Sequence, residues 1–516
     1  MRNDGSIFDA AGCGAFKTFG HLYWILHSSF LALCLFILLA GCRKEDTSAA
    51  DVPHLLVISP HNSDIRREFG DAFSKWHQVH YGTPVKVEWP DIGGGGTGNI
   101  LRQLNAAYDR GDSSGYDVIF GGGSASFNQL ASQKDAAGTP RNILVKLPPL
   151  AAGEHDPLDD IPAALFGNPL HGVDGVWTAA TMSRFGFAIN KDRIAELKLR
   201  TPRTWEDLAQ PEWLGLLSLG DPSKSGSVRT CYEQIFQTYG WEKGWAILTE
   251  MFANATAVRE GGSNPADDVG NAEAVAGVVI DFFGRLQISR VGDRIVGFVV
   301  PEGKNHDPGG GSVLDPDPIA LLRGAPHEEV AARFIRFVLS PEGQRLWVVR
   351  VGAGAGGAEA VGGPTRTSLG RLSVLPSLYQ TDAANMLDPA NPFADASALH
   401  VDNQAQSLRS GFIGDLIKAA LIDNQVALVR ARKSVHAAGD SPALLEELTA
   451  VPLFRIHGGS PQPLVESQLK AMATEYNPPK DDPRSQNAER IQNDTRDFWR
   501  ASFASRFAEV EKAAEK

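Results

Sequence analysis

The stretch HLLVISPHNSDIRREFGDAFSKWHQVHYGTPVKVEW, residues 54–89, decides how this chain is built. Leu55-Leu56-Val57-Ile58 is a short apolar run that stops at Ser59-Pro60, the pattern of a strand buried on both faces. Ile65, Phe69, Phe73 and Trp76 then recur at helical spacing, with Ser63 or Asp64 placed to cap the helix and Gly82 to end it. Val85 to Trp89 reads as a second strand. The alternation continues through a helix with Ile100, Leu101, Leu104 and Tyr108 on one face, then a third strand at Asp117 to Phe120. Strands alternating with helices predict a parallel sheet covered on both faces, an α/β lobe.

Each of these strands runs into a permissive loop: Ser59-Pro60-His61-Asn62, the glycine run Gly93-Gly94-Gly95-Gly96-Thr97-Gly98, and Gly121-Gly122-Gly123-Ser124. Ligands of open α/β sheets bind outside the carboxyl ends of the strands. Glycine lets backbone N–H groups come close to a ligand, and helix amino termini favour negative charge. The loops therefore single out His61, Asn62, Gly95, Thr97, Gly123 and Ser124 as binding candidates. The glycine run lacks the Lys-Ser/Thr pair of a nucleotide-binding P-loop. His-Glu-x-x-His, Gly-x-Ser-x-Gly and paired Cys-x-x-Cys are missing as well. With no converging acid, base or nucleophile, the chain reads as a binding protein without a cofactor, not an enzyme.

A second α/β block follows the proline-containing stretch Thr139 to Gly175. Phe185 to Asn190 and Leu216 to Leu219 read as strands, and Thr201-Pro202-Arg203-Thr204-Trp205-Glu206-Asp207-Leu208 as a capped helix start with a tryptophan anchor. After Leu219 comes Gly220-Asp221-Pro222-Ser223-Lys224-Ser225-Gly226-Ser227, then a helix through about Tyr239. Hydroxyls and backbone N–H groups of Ser225, Gly226 and Ser227 at a helix amino terminus make an anion site. Glu260-Gly261-Gly262-Ser263 ends another short strand, and Val275 to Asp281 runs into Phe282-Phe283-Gly284-Arg285. Val296 to Val300 ends at Pro301-Glu302-Gly303, which carries the chain back toward the first block. Two lobes joined by crossing segments make a hinge around a cleft.

Ahead of the first strand, an apolar run from Phe30 closes at Leu39-Ala40-Gly41-Cys42, behind a weakly basic leader with Arg2, Lys17 and His21. The run is short for ~30 Å of hydrocarbon, and small residues precede Cys42, as in a bacterial lipoprotein signal. The expected processing removes 1–41, acylates Cys42, and leaves a lipid-anchored body outside the cytoplasm behind a tether, 42–53. Of the four cysteines only Cys231 then stays free, so no disulfide forms within the mature chain, and stability rests on a sizeable core. The formal net charge of -12 is dispersed along the chain and argues against a nucleic-acid partner.

Ser59-Pro60-His61-Asn62, Phe185 to Asn190, Pro202 to Leu208, Asp221-Pro222-Ser223-Lys224-Ser225-Gly226 and Ala274 to Arg285, in this order, resemble extracellular solute-binding proteins of bacterial ABC transporters, of the ferric-iron-binding type. The resemblance spans roughly residues 54–350. It implies a type II periplasmic binding-protein fold: two α/β lobes, a hinge and an interlobe cleft, with capture of a solute and delivery to a membrane ABC permease. Ferric members pair a histidine after the first strand with a carboxylate and two adjacent tyrosines. His61 fits the histidine, but Phe282-Phe283 stand at the tyrosine position, and phenyl rings offer Fe(III) no anionic oxygen. The cleft of small hydroxyls, glycine N–H groups, Phe282, Phe283 and Arg285, with Ser263, instead suits a small anionic solute. A ferric carrier, with His61 as ligand, and a sensory lipoprotein remain the alternatives, and the chain is expected to act as a monomer.

The expected divisions are a first lobe over 54–175, a second lobe over 176–295, a return to the first lobe over 296–363, and a mainly helical extension over 364–516. Asn403 to Ala437, Pro442 to Leu448, Pro461 to Leu469 and Asn487 to Ala514 read as helices, and the extension is expected to pack on the first lobe.

Overall fold

A computed structural model of the chain describes residues 52–91, 96–135, 138–353, 362–388, 390–394 and 398–516. The leader, Cys42 and Gly95 lie outside the described residues.

The apolar run forms the buried strand β1 (His54–Ile58), parallel to β2 (Lys86–Glu88) and β3 (Val118–Phe120). Helices α1 (Ser63–Tyr81) and α2 (Thr97–Arg110) connect them, and α3 (Ser124–Ala131) follows β3. α1 buries Ile65, Phe69 and Phe73 as their spacing predicts. Its cap lies one residue earlier than expected: Asn62 Oδ1 accepts the Ile65 N–H at 3.0 Å. Gly82 ends the helix with a φ of 75°.

The sheet is mixed, not parallel throughout. β4 (Leu144–Val145), β5 (Thr178–Ser183) and the late strand β11 (Asp315–Leu322) complete it, and β11 runs antiparallel to β3, β4 and β5. The strand order is β2-β1-β3-β11-β4, with β5 also on β11. A second sheet takes β6 (Phe185–Asn190), β7 (Leu217–Gly220), β8 (Ala255–Arg259), β9 (Ala276–Ile280) and β10 (Val296–Val299) in the order β8-β7-β9-β6-β10. Helices α4 (Gly226–Tyr239), α5 (Trp241–Ala253), α6 (Asn264–Gly270) and α7 (Asp281–Val291) belong to it. α8 (Glu328–Leu339) and α9 (Pro341–Val348) close the first lobe. Two α/β lobes are thus joined by crossing segments, with a largely helical C-terminal extension.

The lobe boundaries shift from those expected. All six residues of β5 are buried against the first lobe, so the chain crosses at Arg184 and not at 176. β10 pairs with β6, so the return runs between Val299 and Asp315. The capped start at Thr204 gives only a 3-10 turn, Glu206–Ala209, because Pro211 follows directly. Trp205 is nevertheless a fully buried anchor whose Nε1 donates to Gly311 O at 2.8 Å.

The extension divides between the lobes. Leu369, Leu372, Val374, Leu375, Leu378 and Met386 enter the first-lobe core. Beyond them, α10 (Asn403–Ser410), α11 (Ile413–Ile417), α12 (Gln425–Ala437), α13 (Pro442–Thr449), α14 (Leu469–Tyr476) and α15 (Ala488–Ala514) share one core with the second lobe. Packing of the whole extension on the first lobe is thus corrected. The helix expected over Pro461 to Leu469 is also absent, since Gln462–Pro463 pairs with Leu453–Phe454 and α14 starts only at Leu469. Cys231 is fully buried in the second-lobe core, as a packed small side chain.

Candidate functional site

The loops after β1 and β3 converge as their glycines suggest. Gly121, Gly122 and Gly123 have φ values of 85°, 121° and 80°, a left-handed run that other residues rarely adopt. A Cβ on Gly121 would lie 2.6 Å from His61 Nε2, and one on Gly122 2.9 Å from Thr97 Cγ2. These are the close approaches for which the glycines are needed.

The backbone donors of that loop already have an anion, and it belongs to the chain. Asp317 Oδ1 accepts the N–H of Gly122 at 2.7 Å and of Gly123 at 3.1 Å. Its Oδ2 accepts from Arg371 Nη1 at 2.6 Å and lies 3.1 Å from His61 Nε2. Two of the expected solute contacts, the Gly123 N–H and His61 Nε2, are thus engaged with a fixed carboxylate of the chain itself. Burial pushes the Asp317 carboxyl up, but the Arg371 guanidinium and His61 outweigh it and hold the group far below the usual carboxylate range. For His61 burial wins over Asp317, and its pKa is lowered. Asp315, two residues back on β11, accepts from Ser124 Oγ at 3.1 Å. Burial, reinforced by Asp317, pushes Asp315 up to about 7 against the Ser124 hydroxyl and Arg371.

Arg371 joins the first lobe, the hinge and the second lobe. It donates to Ser183 Oγ at the end of β5, from Nη2 at 2.6 Å and Nε at 3.2 Å. Its guanidinium lies 5.1 Å from the Phe282 ring and 5.2 Å from the Trp347 ring. Phe282 and Phe283 open α7 with centroids 4.1 Å apart. A cleft of about 240 Å³ separates Asn62 and Ser63 of the first lobe from Ser263, Phe283, Gln287 and Arg290 of the second. Phe282 faces Asn62, Thr367 and Leu369 in an adjoining recess. Arg285, expected among the solute contacts, forms an ion pair with Asp388.

Ser225 caps α4, its Oγ accepting the Val228 N–H at 3.4 Å and lying 3.1 Å from Ser227 Oγ. A Cβ on Gly262 would sit 2.7 Å from Ser225 Oγ, so these hydroxyls adjoin the loop that supplies Ser263 to the cleft. The extension buttresses the loop from behind: Gly414 packs on Pro222, where an added Cβ would meet Pro222 O at 3.3 Å. The candidate residues thus fall into three groups: His61, Thr97, Gly123 and Ser124 around the β11 carboxylates; Asn62, Ser263, Phe282 and Phe283 on the cleft; and Ser225, Gly226 and Ser227 beside it. Among the described residues, no three His, Cys, Asp or Glu side chains form a group that could hold a metal ion.

Asp315, Asp317 and Arg371 escape the motif reading. A signal for the first two lies in Asp315-Pro316-Asp317-Pro318, where alternation along a strand puts both carboxylates on one face. For Arg371 the one local sign is Gly370, at a φ of 66°.

Two α/β lobes thus flank a cleft that carries polar side chains on both sides. Residues 158–352, from ahead of β5 to the end of α9, match the model of the bacterial extracellular solute-binding protein family, so the resemblance read from the motifs holds over this segment. Over 189 residues the chain is 29% identical to the phosphoglycerate transport regulatory protein PgtC of Salmonella typhimurium, covering 37% of this chain and 45% of that protein. It is 28% identical over 167 residues to an uncharacterized protein of Haemophilus influenzae, covering 32% and 45%. The chain therefore spans about half the length of the curated relatives it matches. Among solved structures, it is similar to the periplasmic binding protein AfuA from Actinobacillus pleuropneumoniae with fructose-6-phosphate bound, at TM-score 0.44 and 20% identity, covering 57% of this chain and 81% of that one.

Proposed function

We propose that this chain is the extracytoplasmic solute-binding component of an ABC importer, that it takes a small organic anion between its lobes, and that it delivers the solute to a membrane permease. The observation that carries the anionic class is the cluster of Ser225, Gly226 and Ser227 at the amino end of the 14-residue helix α4, against the loop that brings Ser263 to the cleft. Arg290 stands on the same wall, 3.8 Å from the Asp267 carboxylate, with Asp64 on the first-lobe side. The first-lobe nest is taken by Asp317, so the second lobe supplies the charge recognition and Asn62 and the phenyl rings the opposite wall. The name of PgtC associates that relative with phosphoglycerate, which makes a small phosphorylated carboxylate the first class to try here. The same name contains "regulatory", which favours sensing as the second reading. Against a ferric role, Phe282 and Phe283 hold the position of phenolate ligands, and Tyr232 is fully buried with its hydroxyl on Gly220 O at 2.9 Å.

Calorimetry and thermal melting with phosphoglycerate, fructose 6-phosphate and ferric citrate separate these readings. A ligand at 100 Kd raises the unfolding free energy by about 2.7 kcal/mol. The expected outcome is stabilisation by one of the phosphorylated anions. Ser225→Ala should weaken that binding by about one to two orders of magnitude, the loss of roughly 1.5–3 kcal/mol for a hydrogen bond to a charged group. Stabilisation by ferric citrate alone, with a visible charge-transfer band, sinks the anion reading. Anchoring through an acylated Cys42 belongs to the same proposal, and Cys42→Ser that stays processed and membrane-bound would refute it.

A further inference from the structure

We propose that Pro364–Asp388 is an interlobe latch, and that Arg285 and Asp388 are the positioning pair through which it holds the lobes together. The proposal builds on the two-lobe binding role above but needs no particular solute.

Along its length this segment is fastened to the first lobe. The buried carboxylate of Glu68 on α1 accepts four hydrogen bonds from it: Thr365 N–H at 2.7 Å, Thr365 Oγ at 3.1 Å, Arg366 N–H at 2.8 Å and Thr367 N–H at 2.9 Å. Leu372 exchanges backbone hydrogen bonds with Met182 of β5 at 3.0 and 3.3 Å, and Leu387 N–H donates to Val348 O at 2.8 Å. Strongly held at both ends and in the middle, the segment moves with the first lobe.

Among the described residues, its contacts with the other lobe reach α7. Arg285 of α7 pairs with Asp388, the two side chains being 13% and 29% exposed. Gly370 lies against the Arg285 side chain, where an added Cβ would be 3.3 Å from Arg285 Cδ. Phe282, one turn earlier on α7, covers the Arg371 guanidinium. α7 also supplies the cleft wall through Phe283 and Gln287. Opening the lobes about Arg184 and the Val299–Asp315 crossing must therefore pull α7 from the latch, which breaks a partly buried ion pair and a cation–ring contact together. Further along, Leu399 N–H donates to Ser312 O at 3.0 Å and Asp402 N–H to Gln237 Oε1 of α4 at 2.9 Å.

Hydrogen exchange on the purified, solute-free protein tests the latch. Asp388→Asn and Arg285→Gln should each raise exchange at both cleft walls, residues 62–66 and 281–287, by roughly three- to tenfold, with β6 and β9 unchanged. The charge-exchanged double variant, Arg285→Asp with Asp388→Arg, should return the walls toward wild-type rates. Glu68→Gln, which releases the latch at its other anchor, should reproduce the single-variant pattern even if the α7 variants fold poorly. Wild-type rates in the single variants, no recovery in the double, or an equal rise in β6 and β9 would overturn the proposal. Because no solute is present, any of these leaves the ligand-class reading untouched, and failure of every solute to bind leaves the latch untouched.

Discussion

Asp315 and Asp317 show how neighbours, not residue type, set the state of a buried carboxylate. Asp317 has two backbone N–H groups, Arg371 and His61 around it and stays ionised. Asp315 has the Ser124 hydroxyl and a carboxylate next door, and its pKa rises to about 7. The sign of the consequence follows from proton linkage. Between the unfolded carboxyl value, about 4, and 7 the folded state holds a proton that the unfolded state has lost, so stability falls as pH rises through this window. Asp315→Asn, which keeps an acceptor for Ser124, should flatten the decline and melt higher than wild type at pH 8. Parallel melting profiles from pH 4 to 8 in the two proteins would contradict the assignment. In sequence the two carboxylates show only as an alternating Asp-Pro pair on one strand face, which does not name their partners. The glycines that receive Asp317 are visible, but a glycine nest looks the same in sequence whether its anion is a solute or a side chain from 195 residues downstream, the separation of Gly122 and Asp317.

At the scale of elements, periodicity predicted best where one face does the burying. α1 and α15 stand close to their expected bounds because each presents a single apolar row: Ile65, Phe69 and Phe73 in one, Trp499, Phe503, Phe507 and Val510 in the other. The long helix expected over Asn403 to Ala437 breaks into α10, α11, a π turn at Lys418–Ile422 and α12. Asn424 explains the last break: its Nδ2 donates to Ala419 O at 3.0 Å, Ala420 O at 3.2 Å and Arg500 O at 3.1 Å, taking up carbonyls that a continuous helix would use. The two alanine carbonyls are local, but the third bond, to Arg500 O on α15, is one that no local pattern announces. α15 meets the second lobe through Phe503, whose ring lies 5.8 Å from that of Trp245, and is fixed beside it by Trp499, which joins the same core, stacks on Tyr476 at 5.6 Å and donates from Nε1 to Leu453 O at 3.0 Å. Trp499→Ala should destabilise the protein by about 3–5 kcal/mol, the range for truncating a fully buried large aromatic, plus the cost of an orphaned carbonyl. Denaturant melts measure it, and a loss below about 1 kcal/mol would mean that α15 is not part of the second-lobe core.

For the whole molecule, the decisive feature is that the chain after α9 serves both lobes. A sequence reading places the extension as one block, whereas the division depends on which lobe offers an uncovered apolar face. The first-lobe core takes Leu369 to Met386, and the second-lobe core takes Phe412 to Val510, including Trp241 and Trp245 packed near Phe412 and Phe503. Buried ion pairs bind the same faces: Arg409 donates to Glu233 at 3.0 Å and Arg432 to Glu250 at 2.7 Å, each joining the extension to an α4 or α5 side chain. Removing either partner would leave a buried charge uncompensated. The extension is therefore an integral part of both lobes and should not behave as a separable module. A protease site engineered between residues 354 and 361 offers the test. After cleavage, the fragment containing Pro364–Lys516 should elute from a sizing column together with the fragment ending before it, and the two should part only in denaturant. Elution of that fragment alone as a folded species, with the remainder still melting cooperatively, would show that the shared cores contribute little and that the extension is a domain of its own.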